Sequence, residues 1–172
     1  MRVNHAVKKI LVATAVTAVI CTGIAWATAS SGTTSTLVGP AAHFEAFKFK
    51  MKPAKWAERA LAGDAWGVDI EAKQGLDVAT QTIAFQPGGQ SGWHTHYGPV
   101  FISVKEGTMT FYDHNCNATV RTAGQGFLDT GVDPHLARNE SGSPAINVVT
   151  YLTPPRAPAL RVDAPQPVNC RM

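Results

Sequence analysis

Residues 87–107 read PGGQSGWHTHYGPVFISVKEG, with His94 and His96 one residue apart and a strongly β-forming run behind them. Side chains alternate between faces along a strand, so an H-x-H pair aims both imidazoles the same way. A metal ion needs at least one more ligand, and His135, at the head of HLARN, is the candidate third. Neutral imidazoles suit Zn, Fe, Cu or Ni, whereas carboxylate-rich sites favour Mn and Mg. Taken alone, H-x-H on a β-protein is equally a partly exposed polar face. No Ser/His/Asp or Cys/His triad stands beside it, and no residue presents itself as a general base.

The surrounding chain reads as short strands broken by turn residues. We expect strands at Val78–Phe85, Trp93–His96, Val100–Lys105, Thr108–His114, Thr119–Arg121, Gly126–Asp129, His135–Asn139 and Ala145–Leu152. The breaks are PGG, YGP, EG, NCN, AGQG, GVDP and SGSP. Eight strands without an intervening helix point to an all-β sandwich or barrel of the jelly-roll kind. Upstream, Phe47, Phe49 and Met51 alternate with Lys48, Lys50 and Lys52, the period of a half-buried edge strand with solvated lysines. Pro53 then opens AKWAERALAG, which reads as a short helix ended by Gly63.

The stretch from Gly88 to Gly107 resembles the first motif of the cupin superfamily: glycine, five residues, H-x-H, three or four residues, glutamate, six residues, glycine. Gly88, His94, His96 and Gly107 fall in register. The family's second motif is glycine, five residues, P-x-G, two residues, histidine, three residues, asparagine. Gly124, His135 and Asn139 fit it. The resemblance covers residues 77–152 and implies a cupin jelly-roll β-barrel, related to RmlC-like proteins. It also implies a divalent transition metal (Fe, Zn, Cu, Ni or Mn) on His94, His96 and His135. Two departures stand out. Val100 occupies the position of the family's glutamate ligand, and Thr130 and Val132 replace the second motif's proline and glycine, with Gly131 and Pro134 close by. Neither Glu106 nor Asp113 is well placed to supply the missing carboxylate. If Val100 points inward, Ile102 and Val104 follow it, giving an apolar wall to the pocket, with Asn139 on the face of His135. Asn139 either bonds within the pocket or satisfies a turn, and Trp93 and Tyr97 either shape the mouth or pack.

The N-terminus reads as an export signal. MRVNHAVKK is basic, Ile10 to about Ala27 is uncharged and apolar, and AWATAS offers small-x-small exits. An uncleaved anchor is the alternative, since roughly 20 apolar residues span a bilayer. Three of the fifteen basic residues and none of the twelve acidic ones precede residue 30, so the remainder carries twelve of each. That neutral balance excludes nucleic acid as an expected partner. Beyond residue 30 only Cys116 and Cys170 are left, an even pair that points to a disulfide in an exported chain. The expected organisation is therefore 1–29 signal peptide or anchor, 30–42 polar linker, 43–153 barrel domain with an N-terminal strand and helix extension, and 154–172 a proline-rich tail tethered by the bridge.

Two functions fit these residues. One is an exported metal-dependent oxidoreductase, dioxygenase-like, on a small organic substrate, since a three-histidine ion without glutamate keeps Lewis acidity and open positions. The other is a non-catalytic module holding a small ligand or a metal. A homodimer paired through the Phe47–Met51 edge is compatible with both, and the membrane enters only through an uncleaved N-terminus.

Overall fold

The computed structural model describes residues 27–52 and 67–170. The expected helix after Pro53 and the export segment up to residue 26 lie outside these residues. No helix among the described residues is long and apolar enough to cross a membrane.

Thirteen strands follow one another: β1 Ser31–Leu37, β2 Ala42–Phe44, β3 Phe47–Met51, β4 Val68–Ala72, β5 Leu76–Gln90, β6 His94–Thr95, β7 Val100–Glu106, β8 Thr108–Tyr112, β9 Ala118–Thr122, β10 Gly126–Asp129, β11 Leu136–Arg138, β12 Ala145–Thr153 and β13 Val162–Asp163. The main sheet runs β10-β7-β12-β5-β11-β8-β9, with β1 and β2 also pairing with β5. It curls until its far strands meet, and the rings of Phe111 on β8 and Phe127 on β10 stack with centroids 4.5 Å apart. Such closure removes most of the exposed sheet edge. The all-β jelly-roll barrel expected from the sequence is the fold observed.

Alternation builds the core. Along β7, Val100, Ile102 and Val104 are buried while Phe101, Ser103 and Lys105 are exposed. Every second residue of β12, from Ala145 to Thr153, is buried as well. Phe85, Met109, Phe111, Val149 and Tyr151 meet that β7 row inside the barrel. Full burial of a side chain such as Val100 or Val104 contributes about 1.5–3 kcal/mol each relative to exposure.

Several boundaries differ from expectation, each for a local reason. The strand expected to reach His114 stops at Tyr112, because the Asp113 carboxylate accepts the backbone N–H groups of Asn115 (2.8 Å) and Asn117 (2.9 Å) and closes an Asx turn. The strand expected over His135–Asn139 is trimmed to Leu136–Arg138. The expected linker 30–42 is not a linker: Ser31–Leu37 is strand β1, laid antiparallel along β5 from Ser31 opposite Gln90 to Leu37 opposite Gln81. Its Ser/Thr composition reads as polar spacer, yet β-branched Thr is a good strand former on a sheet surface. Strand β3 pairs with β4 in a separate two-stranded ribbon, where Lys48 and Lys50 meet Glu71 (2.9 Å) and Asp69 (3.2 Å).

The C-terminal tail is more than an extended cover. Cys116 and Cys170 form the expected disulfide, with Cα atoms 5.4 Å apart. Between Pro154 and that bridge, β13 pairs with β6, setting Val162 opposite Thr95 and Asp163 opposite His94. The tail is thus hydrogen-bonded to the strand that carries the histidine pair.

Candidate metal centre

The backbone holds the three histidines from several sides. His94 and His135 exchange main-chain hydrogen bonds of 3.1 and 3.0 Å, and the His96 N–H donates to the Gly131 carbonyl at 2.8 Å. Ahead of the pair, the Trp93 N–H donates to Thr28 Oγ1 at 2.6 Å. Trp93 itself is packing: it is buried with Leu136 and Cys170 in a second small cluster. Tyr97 is exposed.

These constraints bring the imidazoles of His94, His96 and His135 together, with one nitrogen of each lying within 4.8 Å of the others. Ring centroids are 4.3 Å apart for His94–His135, 4.8 Å for His94–His96 and 5.0 Å for His96–His135. His43 and His114 are elsewhere: His43 Nδ1 bonds Asp77 at 2.6 Å, and His114 lies 3.8 Å from Asp133.

The outer nitrogens decide what the inner ones can do. Nδ1 of His94 faces the Gly92 carbonyl at 2.8 Å, Nδ1 of His96 the Leu160 carbonyl at 2.6 Å, and Nδ1 of His135 the Asp133 carbonyl at 3.0 Å. A carbonyl oxygen only accepts, so each Nδ1 carries a proton and each neutral ring presents a bare Nε2 lone pair. Outer N–H groups fixed on backbone carbonyls are the usual support of metal-binding histidines. Two of the bare nitrogens, Nε2 of His94 and of His135, stand 3.2 Å apart. That is close to the edge of a tetrahedron with Zn–N bonds of about 2.0–2.1 Å. Lone pairs facing each other at this distance repel unless a cation lies between them. The donor set therefore fits a divalent transition metal.

Burial favours the neutral rings further. Desolvation pushes His94 well below the ordinary histidine value of 6.5, reinforced by the neighbouring His135, His96 and Arg161. His96 is lowered too, chiefly by burial and against the opposing bond to Leu160.

A carboxylate that sequence reasoning missed completes the cluster. Asp129, at the end of β10, is 7% exposed, and its Oδ2 lies 2.6 Å from His135 Nε2. Its Oδ1 accepts the Gly131 N–H at 2.6 Å. Oδ2 makes no hydrogen bond, because the 2.6 Å approach lacks hydrogen-bond geometry. Burial pushes this carboxyl up, but the His135 imidazole and the Gly131 N–H outweigh it and hold the group below the usual carboxylate value.

The expected pocket residues are partly corrected. Val100 and Ile102 do point inward, but they pack into the core cluster with Val104 and do not line the cavity beside the histidines. Asn139 is not a pocket group either. Its side-chain N–H groups donate to Phe85, Gln86 and Ser143 carbonyls, and its Oδ1 accepts from Ser141, which ties the 139–143 turn to β5. A cavity of ≈ 150 Å³ does open beside His94. One side is apolar, from Ile83 and Phe85; another is polar, from Gln81, Tyr151 and Arg161. Ser30, Thr33 and Ser35 of the supposed linker close it. Burial raises the Tyr151 phenol to about 12 against the opposing Gln81 bond, so it stays a neutral hydroxyl.

No protein-family profile and no curated protein sequence matches the chain. Solved structures similar to it include a conserved protein with a double-stranded β-helix domain from Klebsiella pneumoniae, at 22% identity and a TM-score of 0.45 over 51% of this chain and 74% of that one. An RmlC-like cupin from Shewanella frigidimarina is similar at 20% identity and 0.41, over 47% and 78% of the two chains. The polyketide cyclase RemF from Streptomyces resistomycificus is similar at 18% identity and 0.43, over 54% and 65%. Within this chain, the motif glycines Gly88, Gly107 and Gly124 all take positive φ, at 77°, 78° and 85°. The motif histidines converge at one end of the curled sheet described above. The fold is that of the cupin superfamily. This cupin departs from the family pattern where the sequence departs from it: Val100 gives no ligand, and Gly131, at φ 88°, makes the turn in place of the missing P-x-G.

Proposed function

We propose that this cupin holds one divalent transition metal on His94, His96 and His135 and acts as a metal-dependent oxidoreductase, dioxygenase-like, on a small organic substrate outside the cytoplasm. The observation that carries the reading is the meeting of three Nε2 lone pairs, each ring locked from behind by a backbone carbonyl, beside a cavity. A bound ion would supply Lewis acidity and positions for water, oxygen or substrate. The chain contributes the rest. Ile83 and Phe85 exclude water from one side of the cavity, and the neutral Tyr151 hydroxyl stands ready to donate a hydrogen bond on the other. A volume of ≈ 150 Å³ corresponds to about five waters at about 30 Å³ each, which restricts the substrate to a few heavy atoms. The disulfide supports an oxidising compartment.

The test is oxygen consumption or substrate turnover by the metal-loaded protein over a panel of small acids, alcohols and diketones. Activity should require metal and vanish in His96→Ala. A protein that takes up no metal on reconstitution sinks the reading.

One observation favours the non-catalytic alternative: the polar groups lining the cavity are already partnered. Tyr151 bonds Gln81, while Arg161 bonds Asp163 (2.9 Å) and the Ser91 carbonyl (2.6 Å). Tight binding of a small molecule that survives loss of all three histidines would select that reading.

A further inference from the structure

We infer that Asp129 is the fourth ligand of this centre, a carboxylate delivered from β10 in place of the glutamate that Val100 displaces. The inference rests on the three-histidine reading above and specifies it.

Position is the first argument. Val100 is paired with Asp129 across the β7–β10 ladder, so the two Cα atoms are direct cross-strand partners. The strand neighbour of the vacated ligand position therefore carries the carboxylate, from the opposite side of the hydrogen-bonded pair. Directly paired residues in an antiparallel ladder lie about 4.5–5.5 Å apart, within the reach of a short acidic side chain.

Orientation is the second. Gly131 N–H fixes Oδ1, and this turns Oδ2 toward the histidines, 2.6 Å from His135 Nε2. Oδ2 is buried and without a hydrogen bond. Leaving an ionised carboxylate oxygen unpaired in an interior is costly, so such groups are paired or coordinate metals. The adjacent Nε2 offers no proton, because His135 places its N–H on the Asp133 carbonyl. A charged oxygen and an aromatic nitrogen that both present lone pairs at 2.6 Å call for a shared cation, and an ion bound by the three imidazoles would lie between them.

Chemistry gives the consequence. Three imidazoles alone favour the softer end of the first-row metals, whereas an added carboxylate oxygen restores affinity for Mn²⁺ and Fe²⁺. The apparent three-histidine centre is then a three-histidine, one-carboxylate centre with its carboxylate moved by one strand.

The experiment titrates the metal-free wild-type protein and Asp129→Asn with Mn²⁺ and with Zn²⁺, followed by Mn²⁺ electron paramagnetic resonance and calorimetry, with melting curves to establish folding. Asp129→Asn should lose Mn²⁺ affinity by about 100-fold and Zn²⁺ affinity by no more than about 10-fold, since the oxygen ligand matters most to the harder ion. Equal Mn²⁺ affinity in the two proteins overturns the role of Asp129 while leaving the histidine site intact. A wild-type protein that binds neither ion overturns the histidine reading and this one together. Should Asp129→Asn fail to fold, a crystal structure of the Mn²⁺-soaked wild type decides: Oδ2 within about 2.2 Å of the ion supports the assignment, and Oδ2 beyond about 3 Å contradicts it.

Discussion

Asp129 and Val100 face each other across the β7–β10 ladder, and the carboxylate oxygen that Asp129 leaves free reaches 2.6 Å from Nε2 of His135. Gly131 joins this pair to the histidines: its N–H holds Asp129 Oδ1 and its carbonyl receives the His96 N–H. One residue thus sets the position of two potential ligands, one through each of its peptide groups.

Gly131→Ala tests that joint. Gly131 has φ +88°, and an added Cβ would lie 2.4 Å from the Gly98 carbonyl oxygen. A non-glycine residue held in such a conformation costs about 1–3 kcal/mol, before any clash. We expect urea denaturation to show a loss of about 2 kcal/mol or more, with weaker metal binding in the protein that remains folded. Wild-type stability would show that the turn relaxes without disturbing the site.

Removing the disulfide with Cys116→Ser/Cys170→Ser tests the tail. The bridge spans 54 residues, for which the chain-entropy model gives about 4 kcal/mol. Denaturant unfolding should register most of that loss. The tail also provides the Leu160 carbonyl that orients His96, so metal affinity should fall by about 10-fold, the scale of losing an outer support. Lower stability with unchanged affinity would reduce the tail to a clamp on the fold.

The metal-free protein should lose stability in mild acid. Burial holds His94 and His96 below 6.5 in the folded state, whereas in the unfolded chain they take up protons as the pH falls through that value. The unfolded state then binds more protons, so this contribution is complete above 6.5 and is lost as the pH falls toward the folded-state values. Melting temperatures should be lower near pH 5.5 than near pH 7.5, and the difference should shrink in His94→Ala. An identical pH profile in that variant would locate the acid sensitivity elsewhere.

Most of the barrel was legible because alternation along Val100–Lys105 and Ala145–Leu152 is a local signal that the core enforces. The histidines were legible because two short motifs carry them. Three features were hidden, and each depends on contacts distant in sequence. Ser31–Leu37 reads as a linker by composition and becomes a strand only once β5 is beside it. The tail reads as a tether, and its part in the site follows from β13 meeting β6 and from Leu160 meeting His96, 64 residues away. Asp129 closes a strand whose polarity suggests nothing special. Only the ladder that sets it opposite Val100 shows where its carboxylate goes.

The central claim is that three imidazoles with protons fixed on their outer nitrogens hold a metal ion. Elemental analysis of the purified protein by inductively coupled plasma mass spectrometry, after metal reconstitution and desalting, tests it most directly, with His94→Ala alongside. The account predicts about one equivalent of a first-row transition metal in the wild type and a small fraction of that in the variant, since one of three nitrogen ligands is gone. Equal metal content in the two proteins, or none in either, would contradict it.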